Sequence, residues 1–449
     1  MPGLTQQLAE FVATLDYERL PAQGVEAAKR GATDCVGVLF AGRDEPVAKL
    51  AAELAAPAAS GEARVAFDRG FARSPDAALA NGTAAHALDY DDVALDGHPS
   101  VVLTPAILAE GERVGASGRE LVVAYVAGYE TWGELLARDA DKHHGKGWHP
   151  TAVFGAVAAA AAAARLARLD PARTAFALGI AASMAGGLVA NFGSMTKPFQ
   201  AGRAAQSGIL AARLAARGMT AAPDALEHPS GFLRAISPAG RVRADGDIAA
   251  GRDWHIVRHG VNIKRYPVCY GVHRAIDAVL ALRARRAIPP EAVAEVEVSL
   301  GRTQSIPLRQ HRPRTPLDAK FSAEFAMAAA LVAGRVGMSE LTEEFLARPA
   351  VQALIPKVRV ALVDETDADE PLFAPFDQVR IKLEDGSTFA SDRVHHARGH
   401  ARNPIDLDEL HAKFCDCIGG ALAPDARERL FERLRRLEAQ PAVTALYAG

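Results

Sequence analysis

The sequence holds only four cysteines, Cys35, Cys269, Cys415 and Cys417, and no two of them form a Cys-x-x-Cys pair. A disulfide framework and a zinc or iron–sulfur centre both lack their usual spacing, so reduced, buried or partly buried thiols are expected, as in a cytoplasmic protein. Charge of one sign is missing too: 51 basic residues face 54 acidic ones. With no block of like charge, nucleic acid is an unsuitable partner. The most apolar run, residues 152–164, is mostly alanine and falls short of the ~20 residues of a membrane span. It reads as a tightly packed buried helix, and no membrane association is expected. The first fifteen residues read as an amphipathic helix rather than a secretion signal. No G-x-G-x-x-G follows a strand, and there is neither a P-loop nor a G-x-S-x-G, so hydride transfer, phosphoryl transfer and serine hydrolysis lose their usual equipment. Internal repeats and low-complexity linkers are also absent.

What is present is a 449-residue chain, 49% hydrophobic, long enough for two domains. Helical periodicity recurs up to about residue 260, punctuated by Gly and Pro. Ser74 and Pro75 suit the cap and first position of one helix, a second follows Pro150, and a third starts near Pro198 with small residues Gly202, Ala204 and Ala205 on its surface. After about residue 290 the pattern changes. Val296, Val298 and Leu300 alternate with polar residues, 358–363 is a second strand candidate, and Asp385-Gly386 supplies the turn of a hairpin over 378–394. A helix is expected over 321–336, and helices return after 405. The reading is mainly α: a large all-helical domain built from both chain ends, residues 1–264 and 403–449, with a smaller α+β domain inserted at 265–402.

Four local clusters carry chemistry. His86 and Asp89, Asp91 and Asp92, followed by His98, place three acids beyond a helix C-terminus, where the macrodipole disfavours anions. An isolated acid there would pair with arginine or face water, and the spacing fits no metal motif, so no metal is expected. The loop 142–150 holds His143 and His144, read as solvated, and His149 just before a helix, where the positive end favours a neutral imidazole or an anion. Lys197 stands beside Pro198 at a helix start, a place for an anion clamp or a base. His273 follows Lys264 and Arg265 at the change from helical to mixed character and is read as lying about one turn into a helix. Imidazoles and an ammonium without redox or nucleophilic equipment leave proton transfer next to a carboxylate as the chemistry they serve.

Taken in order, DYDD (89–92) with GHPS (97–100), GWHPTAVFGA (147–156), TKPFQAGRAAQSG (196–208), KRYPVCYGVHRAIDA (264–278) and KFSAEFAMAAAL (320–331) resemble the motifs of the MmgE/PrpD family over nearly the whole chain. The resemblance implies a helical domain with an inserted α+β lid, a homodimer, and chemistry without a metal or organic cofactor on a small di- or tricarboxylate. Members include 2-methylcitrate dehydratase, cis-aconitate decarboxylase and iminodisuccinate epimerase. Asp89, His98, His149, Lys197 and His273 fall on positions that line the decarboxylase site, and Lys264 and Arg265 add positive charge. Two positions depart: Val93 stands where the decarboxylase has threonine, and Phe325 where it has tyrosine. Losing two hydroxyls that would hold a carboxylated substrate points to a different acid. The resulting expectation is a hydro-lyase acting on a 2-methylcitrate-like hydroxy acid. Its rivals are an epimerase or isomerase of a dicarboxylate such as iminodisuccinate, a decarboxylase of a cis-aconitate-like acid, and a non-catalytic ligand-binding protein on the same fold.

Overall fold

In the computed structural model, residues 2–447 are described apart from 57, 68 and 140. The protein is mainly α. It divides into two compact units, residues 1–262 with 406–449 and residues 263–405.

The first unit is built from helices packed unusually closely. Pro150–Leu166 and Thr196–Ala216 carry alanine and glycine where most helices carry leucine. A methyl group added at Gly208 would lie 2.4 Å from Cβ of Ala159, and one added at Gly82 would lie 2.8 Å from the Cα of Gly202. Backbone meets backbone there, so the Ser74–His86, Pro150–Leu166 and Thr196–Ala216 helices fix one another with little side-chain freedom. Ser74 does not cap its helix. Arg73 takes the cap position, and the Ser74 hydroxyl instead donates to Glu110 at 2.6 Å. A short antiparallel pair, β1 (Ala63–Arg64) and β2 (Phe71–Ala72), interrupts the helical run. Among the described residues no helix is long and apolar enough to cross a membrane.

The returning segment supplies Leu407–Ile418 and Pro424–Arg435. Asp406 caps the first by accepting from the backbone N–H of Glu409, whose carboxylate answers the Asp406 N–H. Its buried Lys413 sends its ammonium to Asp34 at 2.6 Å and to the carbonyl of Tyr90 at 2.8 Å.

The second unit centres on a four-stranded sheet ordered β4-β3-β5-β6, formed by β3 (Val293–Gly301), β4 (Val358–Val363), β5 (Gln378–Leu383) and β6 (Thr388–Ala390). β3 pairs antiparallel with β5 and parallel with β4. A parallel neighbour needs a crossover, and the chain makes it through the Ala323–Ala333 helix. Val296, Val298, Leu300, Val379 and Ile381 point into one core with that helix and with His273–Arg285. The turn at Asp385-Gly386 forms as its residues demand, with Gly386 at φ +87.

Candidate active site

The acidic stretch leaves its helix at His86 and is held by backbone contacts rather than by regular structure. Val93 and Asn262 exchange backbone hydrogen bonds at 2.9 and 3.0 Å, the Trp132 indole donates to the Leu95 carbonyl at 3.1 Å, and Lys413 holds the Tyr90 carbonyl. Asp89, Leu95 and Asp96 sit in the left-handed region at φ +53, +51 and +57. Aspartate tolerates that conformation, whereas leucine does so at a cost that the surrounding contacts must meet. Gly97 is required outright, because a methyl group there would lie 2.7 Å from the Trp132 ring. The result is a rigid loop that turns Asp89, Asp91 and His98 towards the start of the Thr196–Ala216 helix.

That helix begins at Thr196, so Lys197 lies inside its first turn rather than ahead of it. The Lys197 ammonium donates to Asp89 Oδ1 at 2.5 Å, with both side chains nearly buried, and also lies 5.1 Å from the Phe192 ring centroid. One turn on, Gln200 donates to the Leu188 carbonyl, which leaves its Oε1 to face Nδ1 of His149 at 2.7 Å. A carbonyl oxygen accepts only, so His149 must carry its proton on Nδ1. Its Nε2 is buried and has no hydrogen-bond partner among the described residues.

The same logic fixes two more rings. Nδ1 of His98 faces the Asp92 carbonyl at 3.0 Å and Asp91 Oδ2 at 2.7 Å, and Nδ1 of His86 faces Asp91 Oδ1 at 2.9 Å. Both rings are therefore Nδ1–H donors, and Nε2 of His98 lies 3.9 Å from Asp89 Oδ1. His86 lies 4.5 Å from His98 and 6.1 Å from His149 between ring centroids, so the three imidazoles form one group. His86 Nε2, like His149 Nε2, is buried without a partner among the described residues.

The electrostatics follow from burial. Burial, reinforced by the Lys197 charge, holds the His149 imidazole well below its ordinary range. Burial likewise lowers His86 to about 4 against the pull of Asp91. Asp91 is pushed up by burial, but the two imidazoles aimed at it prevail and keep it well below the carboxylate range. Asp92 goes the other way, raised by burial and by the neighbouring Asp34 and Asp91 charges. Neutral acceptors stand beside a buried ammonium, which is the arrangement needed to take a proton from carbon and stabilise the charge left behind.

These depressed imidazoles make an acid limb in the stability profile. Their contribution is fully present above the unfolded value of about 6.5 and is lost as pH falls from there towards 4, because the unfolded chain binds protons that the folded chain refuses. For His86 alone the loss is about 3 kcal/mol. Urea midpoints measured from pH 7 down to pH 4.5 are expected to fall steadily. A flat profile would show that these rings are solvated.

Ligand atoms of His86, Asp89, Asp91 and His98 lie within 4.8 Å of one another, a grouping that the spacing in the sequence did not suggest. As a cation site it is already served, since Lys197 neutralises Asp89 and two imidazole N–H groups occupy Asp91.

Of the residues singled out in the sequence, Asp89, His98, His149 and Lys197 come together in the first unit. Val93 is half-buried in the same loop. His143, expected in solvent, is 1% exposed and pairs with Asp139 at 3.1 Å. In the second unit His273 is the first residue of its helix, buried, with Nε2 donating to the Val268 carbonyl at 3.2 Å. A 3-10 turn at Tyr270–Val272 precedes the helix and moves its start to His273. Lys264 is fully buried, Arg265 is exposed beside Tyr266, and Phe325 packs in the core of that unit against Phe345. Sequence reasoning missed Gln200, which fixes the His149 tautomer, and the Lys413–Asp34 pair that supports the loop.

Known proteins are similar to this chain over nearly its whole length. Cis-aconitate decarboxylase of Homo sapiens is 28% identical over 457 residues, covering 98% of this chain and 92% of that one. The Mus musculus decarboxylase is 29% identical, covering 100% and 94%, and that of Aspergillus terreus 26%, covering 96% and 92%. The MmgE/PrpD N-terminal domain matches residues 6–244 and the MmgE/PrpD C-terminal domain residues 266–438. With both domains matched in tandem, and with the imidazole, lysine and aspartate positions gathered on one loop and two helix starts, the chain belongs to the MmgE/PrpD family.

Proposed function

We propose that the protein is a lyase that works without a cofactor on a small di- or tricarboxylate, and that its reaction is the elimination of water from a 2-methylcitrate-like hydroxy acid. The observation that carries this is His149. Its Nδ1 is committed to Gln200, and its Nε2 is an unpartnered acceptor in a buried site beside the Lys197 ammonium. In the proposed scheme Nε2 takes the proton α to a carboxylate and the C–H electron pair becomes the new C=C bond. The C–O bond to the hydroxyl breaks, and Lys197 supplies the proton that lets it leave as water. His98 and Asp89 position these groups. His273, Lys264 and Arg265 enter on the resemblance alone, as carboxylate-binding residues, and Val93 and Phe325 as positions that set which acid is accepted.

Decarboxylation of a cis-aconitate-like acid is the second reading, favoured by the names of the relatives. It calls for a proton donor to the carbanion left by carbon dioxide, a part that Lys197 would also fill, whereas the unpartnered Nε2 acceptor of His149 favours proton removal. Proton NMR in D2O with 2-methylcitrate, citrate, cis-aconitate and iminodisuccinate, on EDTA-treated protein, separates the readings. An unsaturated product with loss of water supports the hydro-lyase, carbon dioxide release the decarboxylase, and inversion with deuterium incorporation an epimerase. Tight binding of an acid with neither exchange nor product would leave a ligand-binding protein and sink the proposal.

A further inference from the structure

The last two helices of the chain hold a second constellation, on the outer side of the first unit. His411 and Cys415 stand four residues apart on the Leu407–Ile418 helix and so share one face, and Glu428 meets them from Pro424–Arg435. One ligand atom from each of the three lies within 4.8 Å of the others. Sγ of Cys415 is 3.4 Å from Nε2 of His411 and 3.7 Å from Oε1 of Glu428. A tetrahedral zinc site with bonds of roughly 2.0–2.3 Å sets its donor atoms roughly 3.3–3.8 Å apart. Two of the three edges already have that length. The third, His411 Nε2 to Glu428 Oε2, is closed to 2.6 Å by a hydrogen bond. Opening it by about 1 Å and turning the Glu428 carboxylate so that one oxygen serves both edges completes the triangle, and a solvent molecule would take the fourth position.

From these distances we infer that His411, Cys415 and Glu428 form a zinc site that ties the two C-terminal helices together. Thiolate, imidazole and carboxylate are a donor set that suits zinc and excludes calcium and magnesium. The tautomer agrees: Nε2 faces the site, and Nδ1 can keep the ring proton while a partly exposed ring gives it access to water. The Phe431 ring, edge-on to His411 at 4.7 Å, holds the imidazole in place. A rival cluster, Glu370, His396 and His400, fits less well. There Nδ1 of His400 accepts from the Arg402 N–H at 3.0 Å, so a metal on Nε2 would leave that ring without a proton. Without metal the Cys415 thiol is raised by burial and by Glu428. Zinc binding releases that proton, so affinity rises with pH.

Cobalt(II) titration of the full chain, first stripped with EDTA, tests the site, because a thiolate-to-cobalt charge-transfer band reports Cys415 and would not arise from the imidazoles and carboxylates around His98. One equivalent of cobalt is expected to produce the band and one equivalent of zinc to remove it. The band should vanish in Cys415→Ser, weaken at least tenfold in apparent affinity in Glu428→Gln, and persist in Cys35→Ser and Cys417→Ser. Far-UV circular dichroism of the metal-free variants verifies the fold, and because Glu428 is at the surface its variant decides the matter even if Cys415→Ser misfolds. No band in the parent chain, or a band that is unchanged in Glu428→Gln or that depends on another cysteine, would overturn the inference.

Discussion

Replacing Lys197 with alanine is expected to lower kcat for the cognate acid by roughly 10²–10⁴-fold, the range for losing a positioned proton donor. The same change removes the ammonium that pairs with Asp89 in a nearly buried setting. A carboxylate left there without its cation takes up a proton instead, so the Asp89 carboxyl should titrate upward and substrate affinity should fall together with turnover. Lys197→Ala combined with Asp89→Asn separates the two effects. The double variant should regain stability in a urea titration, because no buried charge is stranded, while kcat stays at the low level of the single variant. Recovery of turnover in the double variant, or normal turnover in Lys197→Ala, would remove Lys197 from the chemistry. Arginine is not expected to rescue it, since a planar guanidinium cannot reproduce a compact ammonium wedged against Phe192.

The largest effect on stability is expected from Lys413→Met, at about 3–5 kcal/mol, the usual cost of removing one partner from a buried ion pair. Lys413 is 8% exposed and Asp34 is 2% exposed. Asp91 and Asp92 lie close enough to Asp34 for their charges to act on one another, so the lysine offsets more than one acid. Asp34→Asn in the Lys413→Met background should recover a large part of the loss, whereas Asp34→Asn alone leaves an unpaired ammonium and should also destabilise the protein. Chemical denaturation of the four proteins gives the coupling energy. A loss below about 1 kcal/mol for Lys413→Met would mean that the pair is open to water.

What was legible in the sequence was whatever local pattern controls. Helical periodicity in the first part of the chain and period-two alternation at Val296, Val298 and Leu300 both read correctly, because each is set by neighbours a few residues apart. The acid-rich loop and the lysine beside Pro198 stood out because they break local rules: anions at a helix C-terminus and a cation in an alanine-rich setting. Details governed by partners far along the chain were hidden. His143 looked solvated because nothing in its loop shows that the Phe154 ring of the next helix closes over it. Gln200 looked like an ordinary helix residue until the Pro150–Leu166 helix brought His149 against it. Ser74 looked like a cap, but Glu110 from another helix takes its hydroxyl. Each of these misses is a tertiary contact overriding a local preference, and the histidine tautomers in particular exist only once those contacts are made.

The Lys413 contact with the Tyr90 carbonyl spans 323 residues of sequence. During synthesis the acidic loop emerges long before its supporting cation, and at 5–20 residues per second the interval is roughly 15–65 s. Throughout it, Asp34 has no lysine to settle against and the Tyr90 carbonyl lacks its ammonium. The support of the proton-transfer centre is thus the last part of the chain to be made. Completion waits for the final helices, and a chain cut short near residue 400 would be left with its acids unanswered and its loop unseated.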